Sequence, residues 1–81
     1  MNLRNVELQL MKWGIFGEEV KKGKEWVLYR ADNHARVAEI YQDYEEDLAY
    51  QLFLNPHTEP DLYDEVDRVL SIAVRRWEHG G

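Results

Sequence analysis

The chain has 81 residues, 16 acidic against 10 basic side chains, a formal net charge of −6 and no cysteine. This length suits one small domain, and the lack of cysteine excludes a disulfide-stapled scaffold and thiolate zinc sites. With 44% hydrophobic and 12% aromatic residues, the chain is too apolar for a disordered tail. It contains no apolar run of roughly 18 residues, as a membrane span requires, and no signal-peptide layout. We therefore expect one soluble, acidic, cytoplasmic domain over residues 1–81.

The first predicted element is an N-terminal helix over residues 3–13. Its apolar residues recur at spacings of three and four, and Gly14 follows the last of them. This is the pattern of an amphipathic helix that ends at a glycine. Val6, Leu8 and Leu10 also alternate with polar residues, so a strand is the alternative.

A short β-hairpin is predicted next. Val20 and the run 25–29 are strand-like and flank the pair Lys22-Gly23. Glycine tolerates the positive φ that such a turn needs. Because a two-stranded hairpin is only marginally stable alone, we expect it to pack on the helices.

A long central helix is predicted from a cap at Asp32 or Asn33 to the pair Asn55-Pro56. Its apolar residues recur at spacings of three and four and are Val37, Ile40, Tyr41, Tyr44, Leu48 and Leu52. This spacing is typical of a helix with one buried face. The residue before a proline disfavours helical backbone, so we expect the helix to end there.

A final helix follows the loop between Pro56 and Pro60. Thr58 and Asp61 have the spacing of a capping box, and Gly80 supplies a C-terminal stop. Its apolar stripe is Leu62, Val66, Val69, Leu70, Ala73 and Trp77. The predicted fold is therefore α+β and mainly helical: an N-terminal helix (or strand), a short β-hairpin, then two antiparallel helices.

The negative charge is concentrated in one block. Residues 37–67 carry ten Asp and Glu side chains and no Lys or Arg, a charge of −10. Residues 1–36 (seven basic, five acidic) and 68–81 (three basic, one acidic) carry +2 each, and the three segments sum to −6. In the last helix this pattern suits the helix dipole, because acids come first and arginines later.

On the predicted central helix the carboxylates form a row opposite the apolar stripe, about 5–6 Å apart and without basic neighbours. Such a row can take the place of a phosphate backbone and bind a basic surface. A solvated face that keeps the protein soluble is the alternative. Two tyrosines beside the block are candidate anchors, since interfaces favour aromatic residues. The predicted partner-binding residues are Glu39, Asp43, Glu46, Asp47, Tyr50 and Tyr63.

Two carboxylate pairs suggest a different function. Asp43-x-x-Glu46 and Asp61-x-x-Asp64 fall on consecutive predicted helices. This spacing resembles that of the all-α nucleotide pyrophosphohydrolases, and the resemblance implies Mg²⁺ held against a substrate phosphate. The chain departs from that family in using Asp where a longer Glu is expected, and in its short length.

The remaining residues give little sign of catalysis. The three histidines are scattered, and the two hydroxyl side chains other than tyrosine have no triad-like neighbours. We expect no catalytic residue, metal or other cofactor. Three lysines near Gly23 accompany aromatics, but the acidic total disfavours direct nucleic-acid binding.

The sequence thus predicts a non-catalytic interaction protein whose acidic helical face docks onto a basic surface of a macromolecular partner. Size and charge are similar to those of phage-encoded DNA mimics and some anti-CRISPR proteins, which implies an inhibitor that occupies a nucleic-acid-binding site. The alternatives are the Mg²⁺-dependent enzyme and a structural subunit that forms a homo-oligomer.

Overall fold

The computed structural model describes residues 3–43, 45–46 and 49–80. These residues form a four-stranded antiparallel sheet in the order β1-β2-β3-β4, with two helices packed on one of its faces. The elements in chain order are helix α1 (Leu3–Leu10), which a 3₁₀ turn (Met11–Trp13) extends, strands β1 (Ile15–Lys21), β2 (Glu25–Arg30), β3 (Arg36–Gln42) and β4 (Tyr50–Leu54), and helix α2 (Pro60–Glu78).

The predicted mainly helical fold is wrong, because strands β3 and β4 replace the central helix. One reason why the spacing of apolar residues is misleading is an irregularity in the pairing of β2 with β3, which leaves Val37 as an extra residue in β3. Val37, Ala38 and Ile40 are therefore all buried, and the period of two expected of a strand is hidden. Charge also disfavours a helix in this segment, since a helix would bring like-charged carboxylates together at i and i+4. In the hairpin, Asp43 and Glu46 lie in a loop after β3, where water can solvate them.

Helix α1 and the first hairpin confirm the predictions for the N-terminal third. Val6 and Leu10 are buried, and Gly14 ends the 3₁₀ turn with a φ of 72°. The turn between β1 and β2 contains Gly23, whose φ is 71°. Two further strands make this hairpin part of a sheet, so it does not rely on helices alone for support.

The core lies between the sheet and the two helices. On the inner side of the sheet, Trp26 pairs with Ile40 and Leu28 pairs with Ala38. These side chains pack in one cluster with residues of both helices. The fully buried side chains of this cluster are Val6, Leu10, Ile15, Leu28, Val37, Ile40, Val66 and Leu70.

Helix α2 confirms the predicted final helix and most of its stripe. The buried residues are Leu62, Val66, Val69, Leu70 and Val74, with Ala73 and Trp77 partly buried. The predicted capping box is wrong, because the N-cap residue is Glu59 and no side chain caps the helix. At the other end, Gly80 has a φ of 71° and its N–H donates to the carbonyl of Trp77 at 3.1 Å.

Candidate partner-binding surface

The outer side of the sheet faces away from both helices, and we call it the open face. Cβ direction alternates along a strand, so the inner residues of each strand are followed by outer ones. Among the described residues, no helix packs on this side. The open face consists of Phe16, Glu18 and Val20 from β1, Glu25, Val27 and Tyr29 from β2, Arg36, Glu39 and Tyr41 from β3, and Gln51 and Phe53 from β4.

Aromatic rings on the open face are exposed to an unusual degree. Phe16 is 46% exposed and Phe53 is 52% exposed, although both lie on regular strands. Phe16 pairs across strands with Tyr29. Tyr41 and Phe53 meet edge to face, with ring centroids 5.7 Å apart and an interplanar angle of 79°. This is a favourable aromatic geometry, so the rings form a pre-organised surface.

Glu39 lies near the middle of the open face and is held by two neighbours. Its carboxylate accepts a hydrogen bond from the Tyr41 hydroxyl at 2.8 Å and one from Arg36 at 2.9 Å. Both bonds lower the pKa of Glu39, and the bond from Tyr41 has the larger effect. The bond between Tyr41 and Glu39 also raises the pKa of Tyr41. Glu39 is therefore ionised at neutral pH, and its charge is fixed beside two aromatic rings.

A shallow concavity of about 320 Å³ lies along β1 and β2 on the open face. Its lining combines the carboxylate of Glu18, the ring of Tyr29 and the ring of His34. Tyr29 and His34 have centroids 5.9 Å apart. His34 has a φ of 58° in the turn between β2 and β3, a conformation that costs a non-glycine residue about 1–2 kcal/mol.

The predicted acidic residues of the central segment lie in the loop between β3 and β4. Asp43 accepts a hydrogen bond from the backbone N–H of Glu45 at 2.8 Å, which is a turn-forming role. Glu46 is exposed, and Asp47 lies outside the described residues. The loop is at the same end of the sheet as the β1–β2 turn, because the N–H of Gln42 donates to the carbonyl of Lys24 at 2.8 Å. The lysines around the β1–β2 turn are therefore near the β3–β4 loop, which has no Lys or Arg of its own.

The two predicted tyrosine anchors lie elsewhere. Tyr50 is on the inner side of β4, where its ring is 5.6 Å from that of Trp77. Tyr63 is half-buried near the start of α2, at the opposite end of the sheet. The predicted partner-binding residues that the structure describes therefore occupy separate places, and among these Glu39 alone lies on the open face.

The two carboxylate pairs of the enzyme hypothesis are also separated. Asp43 precedes β4 and Asp61 follows it, and strand β4 has five residues. At about 3.3 Å per residue the strand spans about 17 Å, which is too far for one metal ion. Among the described residues, no group of three or more His, Asp or Glu side chains could hold a metal.

The sequence interpretation missed the aromatic residues of the open face. The sequence pattern gives Phe16 no role and places Tyr41 on the apolar stripe of the predicted central helix. The available signal was the strand-like composition of residues 50–54, in which polar Gln51 follows Tyr50. Read with a period of two, this run places Phe53 on the same side as Gln51.

No protein-family model, curated protein or solved structure matches this chain. Within the described residues, neither helix has the length and apolar composition that crossing a membrane requires.

Proposed function

We propose that the protein is a non-catalytic interaction protein that binds a basic surface of a macromolecular partner, and that the open face of its sheet makes the contact. The observation that carries this proposal is the uncovered face of a helix-backed sheet, with Phe16 and Phe53 about half exposed. The two rings lie on the opposite edge strands β1 and β4, and Val27, Tyr29 and Tyr41 lie on the same face between them. An exposed apolar surface of this kind is characteristic of an interaction site.

The chemistry of the open face suits arginine and lysine side chains. Rings such as Phe53 can stack on a guanidinium group, and carboxylates such as Glu18 and Glu25 can pair with it. The register places Lys21 opposite Glu25 at the margin of the open face, and with Lys21 counted three carboxylates stand against two basic side chains. One of these basic groups, Arg36, already pairs with Glu39. The charge still available to a partner is therefore negative.

The overall charge supports the same class of partner. A chain of net charge −6 attracts basic surfaces over about 8 Å at physiological salt. Steering of this kind raises association rates more than it strengthens the final complex. The β3–β4 loop, which contains Asp43 and Glu46, adds to this long-range negative field. This contribution does not require the carboxylates to form a regular row.

We do not propose that the protein mimics nucleic acid. That hypothesis requires a regular row of carboxylates along a helix, and Asp43 and Glu46 lie in a loop instead. No observation favours the enzyme alternative, since its two carboxylate pairs lie at opposite ends of β4. The cytoplasmic location remains a prediction from the sequence.

The test uses a nine-residue arginine peptide as probe and NMR chemical-shift mapping as the measurement. We expect shifts on β1–β4 open-face residues, weaker binding by a lysine peptide of equal charge, and weaker binding at high salt. The double variant Phe16→Ser/Phe53→Ser should lose most of the binding. Ile72→Ser is the matched control, because Ile72 is 46% exposed on α2, away from the open face.

Two results would contradict the proposal. One is a set of shifts confined to α2 or to the β3–β4 loop, with both variants binding equally. The other is binding of a thymidine oligonucleotide, but not of the arginine peptide, at the same rings. That result would indicate single-stranded nucleic acid, which aromatic sheet faces also bind.

A further inference from the structure

The concavity along β1 and β2, which we call the β1–β2 concavity, lies between two irregularities of the sheet. Strand β1 has the extra residue Val20 between Glu19 and Lys21, and strand β3 has the extra residue Val37. A bulge bends its own strand and increases the local twist. Both neighbours of β2 therefore bend beside it, and a hollow forms on an otherwise regular sheet face.

The β1–β2 concavity contains the carboxylate of Glu18. This residue is exposed on β1, and among the described residues no hydrogen bond or ion pair reaches its carboxylate. By contrast, Glu19 on the same strand accepts a hydrogen bond from the N–H of Gly23 at 2.9 Å, and Glu39 on β3 accepts two. The Glu18 carboxylate is therefore available to a cation from outside the molecule.

The walls around Glu18 suit a long side chain with an apolar stem and a flat cationic end. Val27 pairs with Glu18 across β1 and β2, and Val20 lines the same concavity. Tyr29, two residues along β2, is the diagonal neighbour of Glu18, with Cα atoms about 7–8 Å apart. That spacing leaves room for a planar group between the ring and the carboxylate.

An arginine side chain matches these walls better than a lysine side chain does. Its methylene stem packs on apolar surface, and its planar guanidinium can stack on an aromatic ring while donating two hydrogen bonds to one carboxylate. A lysine ammonium is a compact, strongly hydrated charge that cannot stack in this way. Arginine is also among the residue types that contribute most to binding at interfaces.

The charge of the lining favours a cation, although Arg36 is part of the lining. The Arg36 guanidinium donates to the Glu39 carboxylate at 2.9 Å, so this pair carries no net charge. With histidine neutral, as in the formal charge of the chain, Glu18 supplies the remaining charge of the lining. A carboxylate ligand would therefore meet a net negative site and be repelled.

We propose that the β1–β2 concavity holds one arginine side chain of the partner and that Glu18 selects it. The stem lies along Val20 and Val27, and the guanidinium lies between the Tyr29 ring and the Glu18 carboxylate. The concavity measures about 320 Å³, at the lower end of the range for ligand sites, so it admits a single side chain. This inference rests on the proposed function, because it assigns one part of the open face to one residue type of the basic partner.

The test compares two variants that remove the same charge from the open face. The probe is a glycine–serine peptide with one arginine, and NMR titration measures its dissociation constant. Glu18→Gln should raise this constant about five- to tenfold, since it removes a charge-assisted pair of hydrogen bonds. Glu25→Gln is the matched control, because Glu25 lies outside the concavity and opposite Lys21, and it should raise the constant less than about twofold.

Two further measurements identify the contact itself. A peptide with citrulline, the neutral isostere of arginine, should bind the wild-type protein and Glu18→Gln equally, as a double-mutant cycle requires of two groups in contact. Tyr29→Leu keeps an apolar wall but removes the ring, so it should reduce the preference for arginine over lysine. Glu18→Gln should keep the thermal midpoint of the wild-type protein, because no described residue bonds to the Glu18 carboxylate.

The outcomes separate this inference from the proposed function. Equal losses in Glu18→Gln and Glu25→Gln, with chemical shifts that stay on the open face, would overturn the arginine site and leave the proposed function intact. A loss in Glu18→Gln that is equally large for the citrulline peptide would do the same. Failure of arginine peptides to bind the open face at all would overturn both proposals.

Discussion

Replacing Ala38 by glutamate distinguishes the sheet from the helix that the sequence predicted. Ala38 is 2% exposed, between Leu28 on β2 and Leu54 on β4. On the predicted central helix it would lie outside the apolar stripe, where glutamate is a good helix former and the cost is a few tenths of a kcal/mol. In the sheet, the same change places a carboxylate in the core.

The expected loss of stability follows from that burial. An uncompensated buried charge costs about 3–5 kcal/mol, and a domain of 81 residues has a total stability of about 4–12 kcal/mol. We therefore expect Ala38→Glu to lower the midpoint of thermal unfolding by at least about 12 °C, or to unfold the protein. Ala35→Glu is the matched control, because Ala35 is exposed in the β2–β3 turn.

The measurement is urea unfolding followed by tryptophan fluorescence, with Trp26 as the buried probe. Equal stabilities of Ala38→Glu and Ala35→Glu would refute the placement of Ala38 in the core and, with it, strand β3.

Three further predictions test the packing and the open face. Leu70→Ala should lose about 2–5 kcal/mol in urea unfolding because Leu70 is fully buried, whereas Ile72→Ala on the exposed side of α2 should lose less than about 0.5 kcal/mol. Gly17→Leu should lower the thermal midpoint, because even a Cβ at Gly17 would lie 2.8 Å from a methyl carbon of Leu3; an unchanged midpoint would show that α1 does not pack there. Because the pKa of Glu39 is lowered in the folded state, its stabilisation is present above the unfolded pKa and is lost as pH falls through the folded pKa, so Glu39→Gln should flatten the acid limb of a stability-versus-pH curve.

The two ends of the chain could be predicted from the sequence, and the middle could not. Helices α1 and α2 and the first hairpin each have a regular pattern and a glycine where the element or turn ends. In β3 the extra residue at Val37 shifts the buried positions and gives spacings of three that a helix also produces. A bulge depends on pairing with β2, which is a tertiary contact, and local periodicity therefore cannot show it.

The candidate site was less accessible to sequence reasoning for a related reason. Phe16 and Phe53 are far apart in sequence and come to one face only through the order of the strands. Their exposure follows from which side of the sheet the helices cover, and no local pattern specifies that side. Glu39 lies on strand β3 and not on the predicted helical face, and its hydrogen bonds to Tyr41 and Arg36 require the strand.

The fold divides the acidic block among three places, and each has its own physical consequence. Glu39 lies on the open face and is partly neutralised by Arg36. The β3–β4 loop with Asp43 lies at the lysine-bearing end of the sheet, so its field is partly compensated. The acids of α2 lie on the first half of a helix whose second half is basic, which suits the helix dipole. Charge therefore contributes chiefly long-range attraction and orientation, and the exposed rings of the open face are left as the main source of contact area for a partner.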